Sequence, residues 1–246
     1  MEVFGFTLLD GVPAVYHEGL DTLAVSDLHL GLEGTATLDG NYVPPVQLDQ
    51  ALEEIEEAQD RTGASRLLVN GDIKNQFSGT RFTESSELED FFEFATDAFD
   101  EVILVRGNHD NFVEEILGRY GLELQPFFKE DGVLFVHGHK KVEEMDVGDY
   151  ETLVVGHEHP ALAIKDEVGV REKIRVLLHG ETQDGENLVV LPAFAEAASG
   201  TEVNETPVSQ LLCPVLRHRT DVSRLKAVAM ERDAETLEFP RLGRLS

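Results

Sequence analysis

Short apolar segments that run directly into polar motifs are the feature that most constrains this chain. Each apolar segment is typical of a buried strand, and the polar residues come just past its end. Side chains that follow neighbouring strands meet at one edge of a sheet, where α/β proteins bind ligands. The sequence therefore predicts an α/β fold with one polar cluster at that edge. The five motifs are Asp27-Leu28-His29, Gly71-Asp72, Gly107-Asn108-His109-Asp110, His137-Gly138-His139 and Gly156-His157-Glu158-His159.

The segments between the motifs carry the periodicities of helices and strands. Apolar residues at helical spacing predict helices over Val46–Arg61 and Glu84–Phe99, and Gly63 is a plausible stop for the first. Val3–Leu8 and Ala14–Tyr16 flank a turn and predict an opening hairpin. The remaining strand predictions are Thr22–Ser26, Arg66–Val69, Val102–Val105, Val133–Val136, Thr152–Val155, Arg175–Leu178, Asn187–Leu191 and Leu225–Met230.

The late strand candidates predict a second sheet that closes a sandwich. With 246 residues the chain is long enough to bury a full core, and we expect one domain over residues 1–246. Within it, residues from about 199 to 246 are expected to form a C-terminal extension that completes the second sheet. The sequence contains no repeat or low-complexity run that would indicate a solenoid or a disordered tail.

An excess of acidic residues is the main compositional feature. The 48 acids and 20 bases give a formal charge of −28, and the acids are spread along the chain. An acidic surface of this kind indicates adaptation to molar salt, where a Debye length of roughly 3 Å screens self-repulsion. An ordinary acidic surface is the alternative. In molar salt the charge does not exclude nucleic acid as a partner.

Cysteine content and hydropathy restrict where the chain acts. Cys213 is the single cysteine, so the chain forms no intrachain disulfide or thiolate metal cluster, and we expect a small buried hydrophobe there. No apolar run approaches the length of a membrane-spanning helix, and no Lys or Arg precedes Arg61. We therefore expect a cytoplasmic protein that binds no membrane.

The residue types in the motifs suit metal-assisted chemistry. Asp27 and His29 are two positions apart, so on an extended backbone their side chains would point the same way and could hold one metal ion. A carboxylate at Asp72 could bridge two cations through its two oxygens. The imidazole of His109 could donate a proton, and Asp110 could orient that imidazole.

In this order the motifs resemble those of the calcineurin-like metallophosphoesterase superfamily, over Asp27–His159. Within it, Ser26–Gly31, Val136–Lys140 and Leu191–Phe194 resemble archaeal phosphoesterases akin to bacterial ones encoded beside DNA ligase. The resemblance implies a two-sheet β-sandwich with flanking helices and a dinuclear metal site at the C-terminal ends of the strands. It also implies that His109 is the general acid. The implied metal ligands are Asp27, His29 and His159 for one ion, Asn108, His137 and His157 for the other, and Asp72 as the bridge.

Such a site would hydrolyse a phosphomonoester or phosphodiester with a water activated by two divalent cations roughly 3.5–4 Å apart. The mixture of oxygen and imidazole ligands suits Mn²⁺, which we favour, and also Fe or Zn²⁺. A DNA nuclease or repair-associated phosphodiesterase is one alternative, although the sequence has no basic stripe for tracking a phosphate backbone. A catalytically silent scaffold of the same fold is another, and it predicts missing ligands.

Some residues and properties are left open by the sequence. Lys74 and Arg106 could meet a substrate phosphate or be solvated loop residues. His139 could contact substrate or solvent, and we do not predict it to be a metal ligand. The stretch Gly31–Pro45 and the tail from Ser199 offer no recognisable substrate-binding element. The natural ester therefore stays open, and for the oligomeric state we favour a homodimer over a monomer.

Overall fold

The computed structural model describes residues 1–32, 47–76, 82–165, 169–196, 198, 200–232 and 234–245. Val46, where the first predicted helix begins, lies outside the described residues, as do Ser199 and all of Gly31–Pro45 beyond residue 32.

The first sheet is built from the N-terminal half of the chain. Its strands lie side by side in chain order. The first four pair antiparallel, and the fourth to seventh pair parallel. Helices connect β4 to β5 and β5 to β6, as parallel neighbours require a crossover. The strands are β1 (Glu2–Val3), β2 (Phe6–Leu8), β3 (Val15–His17), β4 (Thr22–Val25), β5 (Arg66–Asn70), β6 (Glu101–Val105) and β7 (Leu124–Gln125).

The opening hairpin differs in detail from its prediction. Val3–Leu8 is not one strand, because the chain turns back at Phe4 and Gly5, which have φ angles of 48° and 82°. Positive φ at both central residues is the geometry of a two-residue hairpin turn, so this segment forms a hairpin of its own. The predicted pairing is present between β2 and β3, with Phe6 opposite His17.

The second sheet is mixed. Its strand order is β14-β11-β12-β13-β10-β9-β8, and β15 pairs with β12 and with β16. Strands β9, β10 and β13 are parallel to one another, as are β11 and β14. The strands are β8 (Phe128–Glu130), β9 (Val133–Val136), β10 (Thr152–Val155), β11 (Pro160–Lys165), β12 (Arg171–Glu181), β13 (Asn187–Val190), β14 (Thr201–Glu202), β15 (Lys226–Ala229) and β16 (Leu237–Glu238).

Two long helices cover the outer face of the first sheet, and both were predicted. They are α1 (Gln47–Thr62) and α2 (Phe82–Ala98), followed by the short helices α3 (Glu114–Arg119) and α4 (Pro214–His218). The helix α1 ends before Gly63, which has a φ of 71° as a helix stop requires. Short 3₁₀ turns occur at Glu18–Leu20, Val142–Glu144, Val208–Gln210, Val222–Arg224 and Leu242–Arg244. Among the described residues no helix is long and apolar enough to cross a membrane.

Alternation along the strands produces three hydrophobic layers. In β9, Phe135 packs between the two sheets, whereas its neighbours Leu134 and Val136 face the outer side of the second sheet. In β5, Leu68 faces the inter-sheet core, and its neighbours face α1 and α2. Strands buried on both faces read as continuous apolar runs, which explains the sequence pattern. The predicted two-sheet β-sandwich with flanking helices is confirmed.

Residues from 200 onward pack on the outer face of the second sheet. Leu211, Leu216 and Leu225 join the hydrophobic cluster on that face, while β14 and β15 pair with β11 and β12. Cys213 is a buried free thiol in this layer, as predicted, and burial raises its pKa to about 12. The segment therefore closes the face of the second sheet that the helices do not cover.

Candidate metal centre

All five motifs lie at the carboxyl ends of strands. Three follow the parallel neighbours β4, β5 and β6, and two follow the parallel neighbours β9 and β10 of the other sheet. The strand ends of both sheets meet at one rim of the sandwich, because motif residues of the first sheet contact those of the second. Two groups of potential metal ligands form there, Asp27 with His29 and His159, and Asp72 with His137 and His157.

The first group joins a carboxylate to two imidazoles. The Nε2 of His159 lies 3.0 Å from Oδ1 of Asp27 and 3.3 Å from Nε2 of His29. Asp27 is fully buried, and His29 is 5% exposed. These three residues come from motifs 130 positions apart, so only the meeting of the two sheets brings them together.

The second group has the same composition and adds an amide. The Nε2 of His137 lies 3.3 Å from Oδ2 of Asp72 and 3.1 Å from Oδ1 of Asn108. The ring centroids of His157 and His137 are 5.0 Å apart. Asp27 Oδ1 is 3.9 Å from Nδ1 of His137, so the two groups are adjacent. All seven residues that the sequence suggested as ligands therefore lie together, whereas a bridging role for Asp72 stays a prediction.

Five of the seven candidate ligands have left-handed rather than extended backbone, which corrects the reason given for their convergence. Asp27, His29 and Asp72 have φ angles of 59°, 46° and 49°, and His157 and His159 have 66° and 47°. Left-handed residues other than glycine cost about 1–3 kcal/mol each and cluster at functional sites. The side chains converge because the chain turns tightly after each strand, and two-residue alternation plays no part.

Two polar residues that the sequence did not single out orient the ligands. The Ser26 hydroxyl donates to Oδ2 of Asp27 at 2.6 Å. The carbonyl of Asn70 lies 3.0 Å from Nδ1 of His137, which leaves Nε2 of that ring facing the site. Partners of this kind fix the tautomer and direction of metal ligands. Their position directly before a motif, at the end of β5 for Asn70 and just past the end of β4 for Ser26, is the signal that could have found them.

Asp110 does not orient the imidazole of His109, contrary to the prediction. Its Oδ2 accepts hydrogen bonds from the backbone N–H groups of Asp72 and Gly107 at 2.9 and 2.8 Å, and its Oδ1 accepts from Ile73 at 2.8 Å. Both oxygens are therefore used to join the loops after β5 and β6. Burial raises the pKa of this carboxyl to about 6, with the Asp72 charge acting in the same direction. Asp110 positions the ligand Asp72 through its backbone.

The His109 ring is held by a different neighbour. Its Nδ1 lies 2.5 Å from the carbonyl oxygen of Asn75, and its Nε2 lies 3.8 Å from Oδ2 of Asp72. The His109 ring is packed edge-on against that of His29, at 5.2 Å between centroids. With a side chain 24% exposed, His109 stands at the mouth of the site, between ligand and solvent. The position suits proton donation to a bound substrate.

Lys74 and Arg106 have structural partners. Lys74 is fully buried, so it is not a solvated loop residue. Its ammonium donates a hydrogen bond to the Gln76 carbonyl. Arg106 donates to the Asp110 carbonyl at 3.1 Å and pairs with Glu114 at 2.8 Å. Each therefore supports a loop of the site.

Two motif glycines are required by close approach. A Cβ at Gly107 would overlap the backbone nitrogen and Oδ1 of Asp72. A Cβ at Gly156 would overlap the hydroxyl of Ser26 and lie 2.7 Å from Oδ2 of Asp27. In both places a loop of one motif passes directly over the carboxylate of another, so only glycine fits.

Glu158 is a further residue of the site that the sequence did not single out. It lies between two ligand histidines, is fully buried, and its Oε2 accepts a hydrogen bond of 2.7 Å from the Cys213 N–H. A second hydrogen bond joins the C-terminal segment to the loop of His157–His159, which we call the ligand loop: the N–H of Thr201 donates to the His159 carbonyl at 2.9 Å. The C-terminal segment is therefore fastened to the ligand loop. An acid between two candidate histidine ligands was the signal available in the sequence.

Replacing Glu158 by alanine is expected to destabilise the protein and weaken metal binding. Loss of the acceptor leaves the buried Cys213 N–H unpaired, which costs about 1–3 kcal/mol, and each kcal/mol lowers Tm by about 2–4 °C in a chain of this size. Glu158→Gln keeps an acceptor oxygen and should stay close to wild type. Thermal unfolding and metal titration measure both effects, with Glu172→Ala, at the exposed start of β12, as control. Equal Tm values for the alanine variant and wild type would contradict this role.

Proton affinities within the site favour cation binding. Burial raises the pKa of Asp27, but the charges of His159 and His137 outweigh it and hold that pKa far below its usual range. Burial lowers the pKa of His29 and of His157 to about 4. For His137, burial lowers the pKa, but the hydrogen bond and charge of Asp72 and the charge of Asp27 raise it to about 9. The carboxylates thus draw positive charge into the site, and a proton on His137 occupies a place that a metal ion can take.

The donor set fits divalent metal ions. In the first group two ring nitrogens face each other at 3.3 Å beside an ionised carboxylate, an arrangement that a shared cation satisfies. The Nδ1 of His29 is buried and makes no hydrogen bond with any residue that the structure describes. Carboxylate, amide and imidazole ligands suit first-row divalent ions.

Two cavities flank the ligands. One of about 270 Å³ adjoins His159 and is lined by residues of β11, β12 and the loop after β13. The other, of about 50 Å³, adjoins His137 and is lined by Arg106, His139 and Lys140. Burial lowers the pKa of His139 to about 4. His139 lies outside both ligand groups, so its exclusion from the metal ligands is consistent with the geometry.

A two-sheet sandwich with paired groups of carboxylates and histidines at the strand ends defines a metal-dependent phosphoesterase. The family model for calcineurin-like phosphoesterases matches residues 20–196, and the chain belongs to this family. The predicted superfamily is thus confirmed. The chain is a hydrolase of the metal-dependent phosphoesterase class.

Several solved structures are similar to this chain, and the first described here supports the fold. The Pseudomonas putida nuclease MPE is 16% identical, with a TM-score of 0.62, covering 94% of this chain and 100% of its own. YfcE, a phosphoesterase from E. coli, is 20% identical with a TM-score of 0.41, covering 72% of this chain and 83% of its own. A metallophosphoesterase from Sphaerobacter thermophilus is 15% identical with a TM-score of 0.32, covering 89% of this chain and 87% of its own. Among functionally curated proteins, none matches the sequence significantly.

Proposed function

We propose that the protein hydrolyses phosphate esters with two divalent metal ions. The observation that carries this proposal is the convergence of two adjacent ligand groups from both sheets. Asp27, His29 and His159 would hold one ion. Asn108, His137 and His157 would hold the other, and Asp72 would serve both. A silent scaffold predicts missing ligands, and this chain retains every ligand type.

Two bound cations would supply charge neutralisation of the phosphoryl oxygens and activation of the attacking water. In the overall reaction the water oxygen bonds to phosphorus and the water gives up a proton to solvent, while the ester P–O bond breaks and the leaving oxygen takes a proton. His109 stands at the mouth of the site and donates that proton. Asn75 orients its ring, and Asp110 fixes the loops on which His109 and Asp72 sit.

Hydrolysis of bis(p-nitrophenyl) phosphate tests the proposal directly. Metal-depleted protein should be inactive, and addition of Mn²⁺ should restore turnover, with two ions bound per chain by elemental analysis. We propose Mn²⁺ as the natural ion because oxygen and nitrogen donors are mixed in both groups. Fe²⁺ and Zn²⁺ serve as comparisons. Full activity in metal-depleted protein would refute the proposal.

A DNA nuclease is the second candidate. It is motivated by the fold likeness to the P. putida nuclease MPE, which extends over nearly the whole chain. Incubation with single-stranded, double-stranded and branched DNA in Mn²⁺ tests it. Cleavage that is lost in Asp72→Asn would assign the nuclease activity to this site, and intact DNA beside active nitrophenyl ester hydrolysis would exclude it.

We also propose that the protein is adapted to high salt, because it carries a formal charge of −28. The Debye length falls from about 10 Å at 0.1 M to about 3 Å at 1 M salt, so repulsion among surface acids weakens. Tm should rise steeply between 0.1 and 2 M KCl, measured by circular dichroism. Sucrose, which stabilises without screening charge, should give a smaller rise. A Tm independent of KCl would contradict salt adaptation.

A further inference from the structure

The larger cavity beside the metal centre has room for part of a substrate. It measures about 270 Å³ and includes His159, a residue of the first ligand group, in its wall. Small-molecule pockets usually span about 300–1,000 Å³, so this cavity accommodates one chemical group rather than a whole ligand. The cavity on the His137 side holds only about 50 Å³. A bulky substituent on the scissile phosphate therefore fits on the His159 side.

The wall of this cavity is fixed by Arg175. Its buried guanidinium donates to the carbonyls of Ala193 and Phe194 at 3.1 and 3.2 Å. These bonds hold the loop after β13 against β12. On the opposite side Gly200 lies so close to His159 that a Cβ would overlap the carbonyl of that histidine. The cavity is thus bounded by backbone and is formed before any ligand binds.

The charged residues that line the cavity differ in whether an opposite charge pairs with them. Glu231 accepts a hydrogen bond from the Arg175 backbone and lies 3.8 Å from its guanidinium. Glu196 pairs with Arg232 at 3.4 Å. Lys173 instead donates to the neutral carbonyl of Gly200, and it forms no ion pair with an acid of the described residues. Both acids are therefore engaged by arginines, while the lysine charge is available to an anion.

We propose that this cavity binds the part of a phosphodiester next to the scissile phosphate, and that this part carries a second phosphate which pairs with Lys173. The substrate class is then a phosphodiester that carries a second phosphate on the group beside the scissile phosphate, and a phosphorylated dinucleotide serves as the probe. A compact ammonium suits phosphate as a point charge. The inference rests on the proposed phosphoesterase function and narrows its substrate.

The test compares dinucleotides that differ by one phosphate. Thymidylyl-thymidine and its 5′- and 3′-phosphorylated forms are hydrolysed by the full chain in Mn²⁺, at the lowest KCl concentration that keeps it folded. Wild type should prefer one phosphorylated form by about tenfold in kcat/KM, as expected for a charge-assisted hydrogen bond. Lys173→Ala should remove this preference, and Lys173→Glu should reverse it. Lys165→Ala, at the exposed end of β11 and outside the cavity, should retain it.

Each failure has its own meaning. If wild type does not hydrolyse bis(p-nitrophenyl) phosphate, the proposed function itself fails. The subsite is then judged by calorimetric binding of the phosphorylated dinucleotides to wild type and Lys173→Glu, and equal affinities overturn it. If wild type is active but shows no preference, or if Lys173→Ala keeps the preference, the subsite is wrong while the phosphoesterase function stands.

Discussion

Asp72→Asn is expected to lose hydrolysis of bis(p-nitrophenyl) phosphate by more than about 100-fold, since loss of an outer-shell partner alone typically costs about 10–100-fold. The substitution keeps the shape of the side chain but removes its charge. Asp72 Oδ1 accepts a hydrogen bond of 2.9 Å from the backbone N–H of His109, and Oδ2 lies 3.3 Å from Nε2 of His137. One carboxylate thus joins the second ligand group to the proposed proton donor, His109. Turnover in Mn²⁺ and bound metal per chain are the measurements.

The matched control is Asp97→Asn, an equivalent change on the exposed side of α2. It should retain wild-type turnover and metal content. Because the buried carboxylate draws cations into the site, Asp72→Asn should also bind less metal than the control. Undiminished turnover in purified Asp72→Asn would show that this carboxylate is not part of the machinery.

His109→Ala is expected to lower kcat by about 10²–10⁴-fold while both metal ions stay bound, because general acid catalysis contributes that much. The loss should depend on the leaving group. An alkyl phosphodiester releases a basic alkoxide that needs a proton, whereas p-nitrophenolate leaves without one. The alkyl ester should therefore suffer far more than the nitrophenyl ester. The ratio of the two kcat values, in wild type and variant, measures this directly.

His218→Ala provides the control, because this histidine is exposed at the end of α4 and lies outside the ligand groups. An equal loss on both esters in His109→Ala would remove the proton-donor role. Loss of metal from the variant would instead assign His109 to metal binding. The two results are distinguishable since elemental analysis does not depend on turnover.

Much of the fold and site was predictable from local pattern. Buried strands appear as apolar runs, and α1 and α2 carry apolar residues at helical spacing, so both were identified with ends close to those observed. The motifs supplied every residue of the two ligand groups. These predictions succeeded because periodicity and residue type are properties of short segments.

Other features depend on residues far apart in sequence and could not be predicted. Asp110 was expected to orient His109 because the two are adjacent in sequence, but its carboxylate is taken by N–H groups of a loop 37 and 38 residues away. The hairpin at Phe4-Gly5 was missed because its apolar residues also fit one strand.

The sequence by itself determined the ligand types, their order and their placement after strands, because these follow from residue chemistry and short-range periodicity. The tertiary structure brings the residues of each ligand group together, joining residues 130 positions apart. It also decided that Glu158 fastens the C-terminal segment to the ligand loop and that the roomier cavity lies beside His159. The physical reason is that packing two sheets face to face sets distances between their loops, and no local pattern encodes those distances.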